Sequence, residues 1–194
     1  LHFELQKIPL LPGETIRIDF LCLTEYLWPV WQSVFEACLE DKRVKARVVL
    51  LDRAKSNLKD ASCKDAEIFL QKLRVPYISY ADYMPDADRP HILLYQYPYN
   101  FVYEEFRKVS PDLVKLRGTR PVYISYGIEY DEARNKGVIN GMHYHNYAPS
   151  LAWQVYVMHK DIREAYFQHF RTRGVHVHAL WHPRFVSYAS EFAP

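Results

Sequence analysis

The strongest constraint on this chain is a rhythm. Short apolar runs alternate with segments whose apolar residues recur every three or four positions. Residues 15–22, 44–51, 77–80, 91–97, 122–126, 152–158 and 175–181 read as strands. Between the first two, Pro29 suits the opening turn of a helix. Val30, Trp31, Val34, Phe35 and Cys38 then share one helical face. Residues 63–73 repeat the pattern with Ala66, Phe69, Leu70 and Leu73, and residues 161–171 with Ile162, Ala165, Tyr166 and Phe170. Residues 104–108 open a further short helix. Residues 48–51 are continuously apolar, as in a strand covered on both faces. Residues 52–62 and 82–90 read as loops, and 129–148 as a polar excursion over the surface. Strands alternating with helices predict an α/β fold. The expected form is a doubly wound, mainly parallel sheet of six to seven strands flanked by helices.

That architecture directs attention to the segments just after strands, because ligands of such sheets bind beyond the carboxyl ends. The segments are 23–28, 98–101, 127–130, 159–161 and 182–185. The first, Leu-Thr-Glu-Tyr-Leu-Trp, is too bulky for a pyrophosphate to approach its backbone, so a dinucleotide site of the glycine-rich kind is excluded. Neither a Gly-Lys-Ser/Thr phosphate loop nor a Gly-x-Ser-x-Gly elbow occurs.

Charge narrows the field further. The 194 residues carry 25 Lys+Arg against 23 Asp+Glu, a net +2 that is too balanced for a dedicated nucleic-acid or polybasic membrane module. No apolar run approaches the ~20 residues of a membrane-spanning helix. Cys22, Cys38 and Cys63 form no Cys-x-x-Cys pattern and imply no disulfide framework, which fits a reducing compartment. Seven of the nine histidines lie after residue 142. His143 and His145, and likewise His176 and His178, have the i, i+2 spacing that shares a strand face. A metal-dependent hydrolase built on this cluster is one reading. The simpler one puts Val175, Val177 and Ala179 in the core with the histidines on the less buried side, and no metal is expected.

Several strand ends carry polar and aromatic groups, which suit sugar rings or bases or else simply pack beneath a Pro-stopped strand. Gln96, Tyr99 and Asn100 follow one strand, and Tyr126, Gly127 and Glu129 another. Glu25 follows the first strand. His182 and Arg184 close the last, as an imidazole and a phosphate fork or as part of an interdomain hinge.

Taken in order, these strand ends resemble the N-terminal lobe of two-lobed GT-B transferases, and among them the CDP-glycerol glycerophosphotransferase family. Ile92-Leu93-Leu94-Tyr95-Gln96-Tyr97-Pro98-Tyr99-Asn100 is similar to that family's apolar strand followed by Gln-x-Pro-aromatic-Asp. Val122-Tyr123-Ile124-Ser125-Tyr126-Gly127 is similar to its Tyr-Ile-Pro-Tyr-Gly, and His182-Pro183-Arg184-Phe185 to the Gly-x-Pro-Arg-x-Asp that ends the first lobe. Two departures stand out. Ser125-Tyr126-Gly127 occupies the place of the family's Trp-His-Gly, whose histidine is catalytic, and Trp181 and Val186 replace the Gly and Asp of the closing motif.

The resemblance implies an acceptor-side domain of a glycosyl- or glycerophosphotransferase in cell-envelope polymer synthesis. Residues 1–186 would form one Rossmann-like lobe and 187–194 the start of a linker, with the nucleotide-binding lobe lying outside this sequence. Tyr126, Gly127, Glu129, His143 and His145 are the expected catalytic candidates. Glu25, Gln96, Tyr99, Asn100, His182 and Arg184 are the expected substrate-binding residues. No cofactor is implied. The expected partners are the second lobe in cis and a saccharide or polyol-phosphate acceptor, without nucleic acid. The location implied is the cytoplasm, with peripheral association at the inner face of the cell membrane. A non-catalytic saccharide- or protein-binding domain on the same fold is the alternative, because the Trp-His-Gly site is lost.

Overall fold

The computed structural model describes residues 7–51, 63–95, 97–98, 104–126, 147–169 and 176–180. Seven strands form one sheet: β1 (Ile16–Cys22), β2 (Val44–Leu50), β3 (Tyr77–Ser79), β4 (Ile92–Tyr95), β5 (Arg120–Ile124), β6 (Gln154–Val157) and β7 (Val177–Ala179). Their order is β3-β2-β1-β4-β5-β6-β7, and every neighbouring pair is parallel. This is the expected doubly wound, Rossmann-like α/β fold. The chain winds outward from β1 to β3, crosses back to β4 and winds outward the other way, so the topological switch lies between β1 and β4.

Alternating residues of each strand feed two core layers. On one face, Phe20 and Cys22 of β1 and Val48 and Leu50 of β2 meet Trp28, Val30 and Trp31 of the 3-10 helix Glu25–Val30. They also meet Phe35 of α1 (Gln32–Glu40) and Ala66 and Leu70 of α2 (Cys63–Lys72). Trp31 and Phe35 each pack on Phe20, on Trp28 and on one another, with ring centroids 4.6–6.0 Å apart. On the other face, Leu21, Val49, Leu93, Tyr95, Tyr123 and Val155 meet the remaining helices. These are α3 (Pro85–Asp88), the 3-10 helix Glu104–Val109, α4 (Pro111–Leu116), α5 (Tyr147–Leu151) and α6 (Lys160–His169). Val109, Val114, Ala148, Ile162 and Tyr166 supply the buried contacts of the helices after α3, and Tyr83, just before α3, that of its segment.

The expected helical faces hold where they are described, except at their ends; Phe170 lies outside the described residues. Leu73 is exposed because α2 stops at Lys72 and the chain turns away. That turn is a Schellman closure: Arg74 N–H donates to Gln71 O and Val75 N–H to Leu70 O, both at 3.0 Å, with Arg74 at φ 55. Pro29 opens no α-helix. It sits inside the 3-10 helix, and the α-helix begins at Gln32. The stretch 82–90, expected as a loop, contains α3, whose Pro85 occupies the first turn. In the polar stretch 129–148, the end becomes helical at Tyr147.

Candidate functional site

The topological switch lies between β1 and β4, and the residues that follow the carboxyl ends of these strands are where such sheets bind their ligands. β1 runs through Leu23 to Thr24, which is extended (φ −155, ψ 148) and leads into the 3-10 helix. The Thr24 hydroxyl donates to Glu25 Oε2 at 3.2 Å. Glu25 is half-buried beside it, and the next side chain, Tyr26, is 74% exposed. The bulk that excluded a pyrophosphate is thus turned inward as Trp28 and Val30, leaving a carboxylate and a phenol at the lip.

Across the switch, Tyr97 lies two residues beyond β4, and Tyr126 two beyond β5. Their rings meet with centroids 5.5 Å apart and planes tilted by 53°. Tyr97 leans on one core layer and Tyr126 on the other, so the pair closes over the edge of the sheet. Tyr95, by contrast, belongs wholly to the core. Its hydroxyl donates to Val109 O at 2.6 Å, and burial pushes its phenol well above the ordinary value, so it stays protonated. Ser125, buried between Ile124 and Tyr126, extends the β5–β6 ladder through its N–H to Tyr156 O at 3.0 Å. Beyond β6 the same edge carries His159. Its Nδ1 accepts the Asp161 N–H at 3.3 Å and lies 3.2 Å from Asp161 Oδ2, at the start of α6. An acid, two packed phenols and an imidazole therefore stand on one edge, on residues following β1, β4, β5 and β6.

Of the expected site residues, Glu25 and Tyr126 are placed, both on this edge with β4 between their strands. Gln96, Tyr99, Asn100, Gly127, Glu129, His143, His145, His182 and Arg184 lie outside the described residues. The second histidine pair shows the simpler arrangement where it is described. Val177 is core, Ala179 packs against it, and His176 and His178 are half-buried. His178 Nε2 bonds Gln154 Oε1, and its ring packs on Tyr156, whereas the His176 ring hydrogen-bonds to the Pro149 backbone. Among the described residues no group of three or more His, Cys, Asp or Glu could hold a metal ion. Nor is any helix among them long and apolar enough to cross a membrane.

A polar constellation that sequence reasoning missed lies deeper in the sheet. Asp19 and Arg47 face each other in the β1–β2 register, where Arg47 donates through Nε at 3.1 Å and Nη2 at 2.8 Å to the two Asp19 oxygens. The Tyr83 hydroxyl adds a bond to Asp19 Oδ2 at 2.8 Å, and Arg47 Nη1 reaches Asp88 Oδ1 at 2.7 Å. Burial works against the charge on Arg47, but Asp19 and Asp88 outweigh it and hold the guanidinium protonated. Burial, then the Asp19 charge, pushes the Tyr83 phenol far upward. This network fastens residues 83–88, the return from β3 to β4, onto the sheet face. It therefore fixes the crossover that creates the switch. Asp19, next to the apolar run Phe-Leu-Cys within the strand Ile-Arg-Ile-Asp-Phe-Leu-Cys, was the signal available in the sequence.

No protein-family model matches the chain, and no curated protein matches it.

Proposed function

We propose that the chain is the acceptor-side lobe of a GT-B-like glycosyl- or glycerophosphotransferase, acting in the synthesis of a cell-envelope polymer. Three observations support the reading: the doubly wound parallel sheet, the grouping of Glu25, Tyr97 and Tyr126 on its carboxyl edge, and the ordered strand-end motifs. The tyrosine pair is the observation that carries it. Two phenols packed over a sheet edge with their planes inclined by 53° offer an angled apolar surface with polar tips, which suits a sugar ring or a polyol chain.

In such a transfer an acceptor hydroxyl attacks the activated phosphorus or anomeric carbon of a nucleotide-linked donor. The new bond to oxygen forms as the bond to the nucleotide phosphate breaks, and the hydroxyl proton passes to a general base. This lobe would orient the acceptor, with Gln96, Tyr99 and Asn100 beside the platform and His182 and Arg184 toward the hinge. Glu129, His143 and His145 are the candidates for the base, and Tyr126 and Gly127 would border the reacting atoms. A nucleotide-binding second lobe would supply the donor.

Turnover of CDP-glycerol or a nucleotide sugar by the full-length gene product tests this reading. Activity that is lost in Tyr126→Ala and reduced in Glu25→Gln is the expected result. A full-length protein that neither binds nor consumes any nucleotide-linked donor contradicts it.

A further inference from the structure

We infer that the turn at residues 80–83 is a binding site for a monovalent cation, which the chain itself supplies as the ammonium of Lys108. The inference is independent of the transferase reading. The turn follows the carboxyl end of β3, whereas Lys108 lies in the 3-10 helix Glu104–Val109, between β4 and α4.

Lys108 Nζ donates to three main-chain carbonyls: Tyr80 O at 3.3 Å, Ala81 O at 3.1 Å and Tyr83 O at 3.3 Å. An ammonium has three donors, so each one has its own acceptor. The Tyr80 ring closes a further side, with its centroid 5.2 Å from the nitrogen.

These four partners are all neutral. The acids that flank the turn are bonded elsewhere: Asp82 accepts from the Ser79 hydroxyl, Asp86 from Arg117 and Asp88 from Arg47. A charge held by carbonyl dipoles and a π face, and not by a carboxylate, has the surroundings of a weakly hydrated monovalent cation. Ca²⁺ and Mg²⁺ sites draw on carboxylates, which this cradle lacks.

The cradle is held by bonds that do not involve the Lys108 side chain. The Asp82 and Tyr83 N–H groups both donate to Ser79 O, at 3.1 and 3.0 Å, and close the turn. The Tyr83 hydroxyl is anchored on the buried Asp19. The Tyr80 ring packs on Phe106 with centroids 5.7 Å apart, and its hydroxyl accepts the main-chain N–H of Lys108 at 3.1 Å. Shortening the side chain at position 108 therefore leaves three preformed carbonyl oxygens and an aromatic face, open to a cation from solution. In the parent the tethered ammonium joins the segment after β3 to the segment after β4 and needs no such ion.

Thermal unfolding of Lys108→Ala in four chloride salts, each at about 0.2 M, tests the inference. Equal ionic strength screens exposed charges alike, so differences between the cations report binding. K⁺, NH₄⁺ and methylammonium are each expected to raise its melting temperature by about 2–4 °C over tetramethylammonium, which is too large for the cradle. The parent, whose site is filled, is expected to melt alike in all four salts. So is Lys115→Ala, which removes a half-buried lysine from the neighbouring α4. A second readout uses the parent alone and depends on no variant folding. Acetic anhydride is expected to acetylate Lys108 Nζ about tenfold more slowly than the exposed Lys42 and Lys45, because its hydrogen bonds must break first. The inference is overturned if Lys108→Ala melts alike in all four salts, or if the parent shows the same cation preference. It is also overturned if Lys108 is acetylated as fast as Lys42.

Discussion

The rings of Tyr97 and Tyr126 pack 5.5 Å apart over the carboxyl edge of the sheet, although their side chains spring from opposite core layers. The relationship follows from strand parity. Tyr97 continues the Tyr95 face of β4, and Tyr126 continues the Ile124 face of β5, so the rings can meet only past the ends of both strands. If the pair is a platform for a ring or polyol, each phenol contributes area and a polar tip. Tyr126→Ala is then expected to weaken acceptor binding about tenfold, and Tyr126→Phe much less. Isothermal titration of the two variants separates the contributions. The half-buried position limits the cost to stability to about 1–2 kcal/mol for Tyr126→Ala.

Asp19 and Arg47 make a bidentate pair in which Asp19 is 2% exposed and the arginine side chain 28%. Removing Arg47 strands the buried Asp19 carboxylate, whereas removing Asp19 leaves Arg47 its bond to Asp88 and partial access to water. Arg47→Met is therefore expected to lose about 3–5 kcal/mol in urea unfolding and Asp19→Leu less, with the double variant recovering much of the Arg47→Met loss. Tyr83→Phe removes one hydrogen bond to the same carboxylate and is expected to lose about 1–2 kcal/mol.

His91 lies buried where β4 begins, and its Nδ1 accepts the Arg17 N–H at 3.0 Å, extending the ladder with an imidazole. Burial, then the Arg17 charge, lowers its affinity for a proton below the ordinary 6.5, with Arg120 adding to the effect and Glu14 opposing it. The folded pKa lies below the unfolded one, so the contribution is present above about 6.5 and is lost as pH falls through the folded pKa. The melting temperature of the parent is expected to fall more steeply below pH 6.5 than that of His91→Asn, whose carbonyl keeps the acceptor without titrating. Parallel melts across that window give the comparison.

Arg74 occupies the left-handed closing position of α2 at φ 55, where a side chain is disfavoured. Arg74→Gly is expected to keep both closing hydrogen bonds and to raise stability by about 0.5–1 kcal/mol. Thermal unfolding at one pH is sufficient to see it.

The sheet was legible because each strand kept its apolar run and each major helix its face. Val30, Trp31 and Phe35, or Ile162 and Tyr166, could be placed by period alone. The ends were less legible because backbone closures set them. Leu73 fits the helical period yet is exposed, since the Arg74 turn ends α2 before it. The short α3 and α4 offered less than two turns of pattern, too little for a period to register. At the site, Glu25 and Tyr126 were reachable because they follow strands directly. The Tyr97–Tyr126 contact was not, because it depends on β4 and β5 being neighbours. Asp19, Arg47, Tyr83 and Asp88 come from three separate segments, and only the crossover brings them together.

The central claim is that the carboxyl edge between β1, β4 and β5 receives an acceptor. Backbone amide shifts of the isotope-labelled chain, followed during titration with a glycerol-phosphate oligomer and with neutral oligosaccharides, test it most directly. Saturable shifts concentrated at Thr24–Tyr26, Tyr97 and Tyr126, and diminished in Tyr126→Ala, are the predicted result. Shifts confined to the amino edge, or none at millimolar ligand for either class, would contradict it.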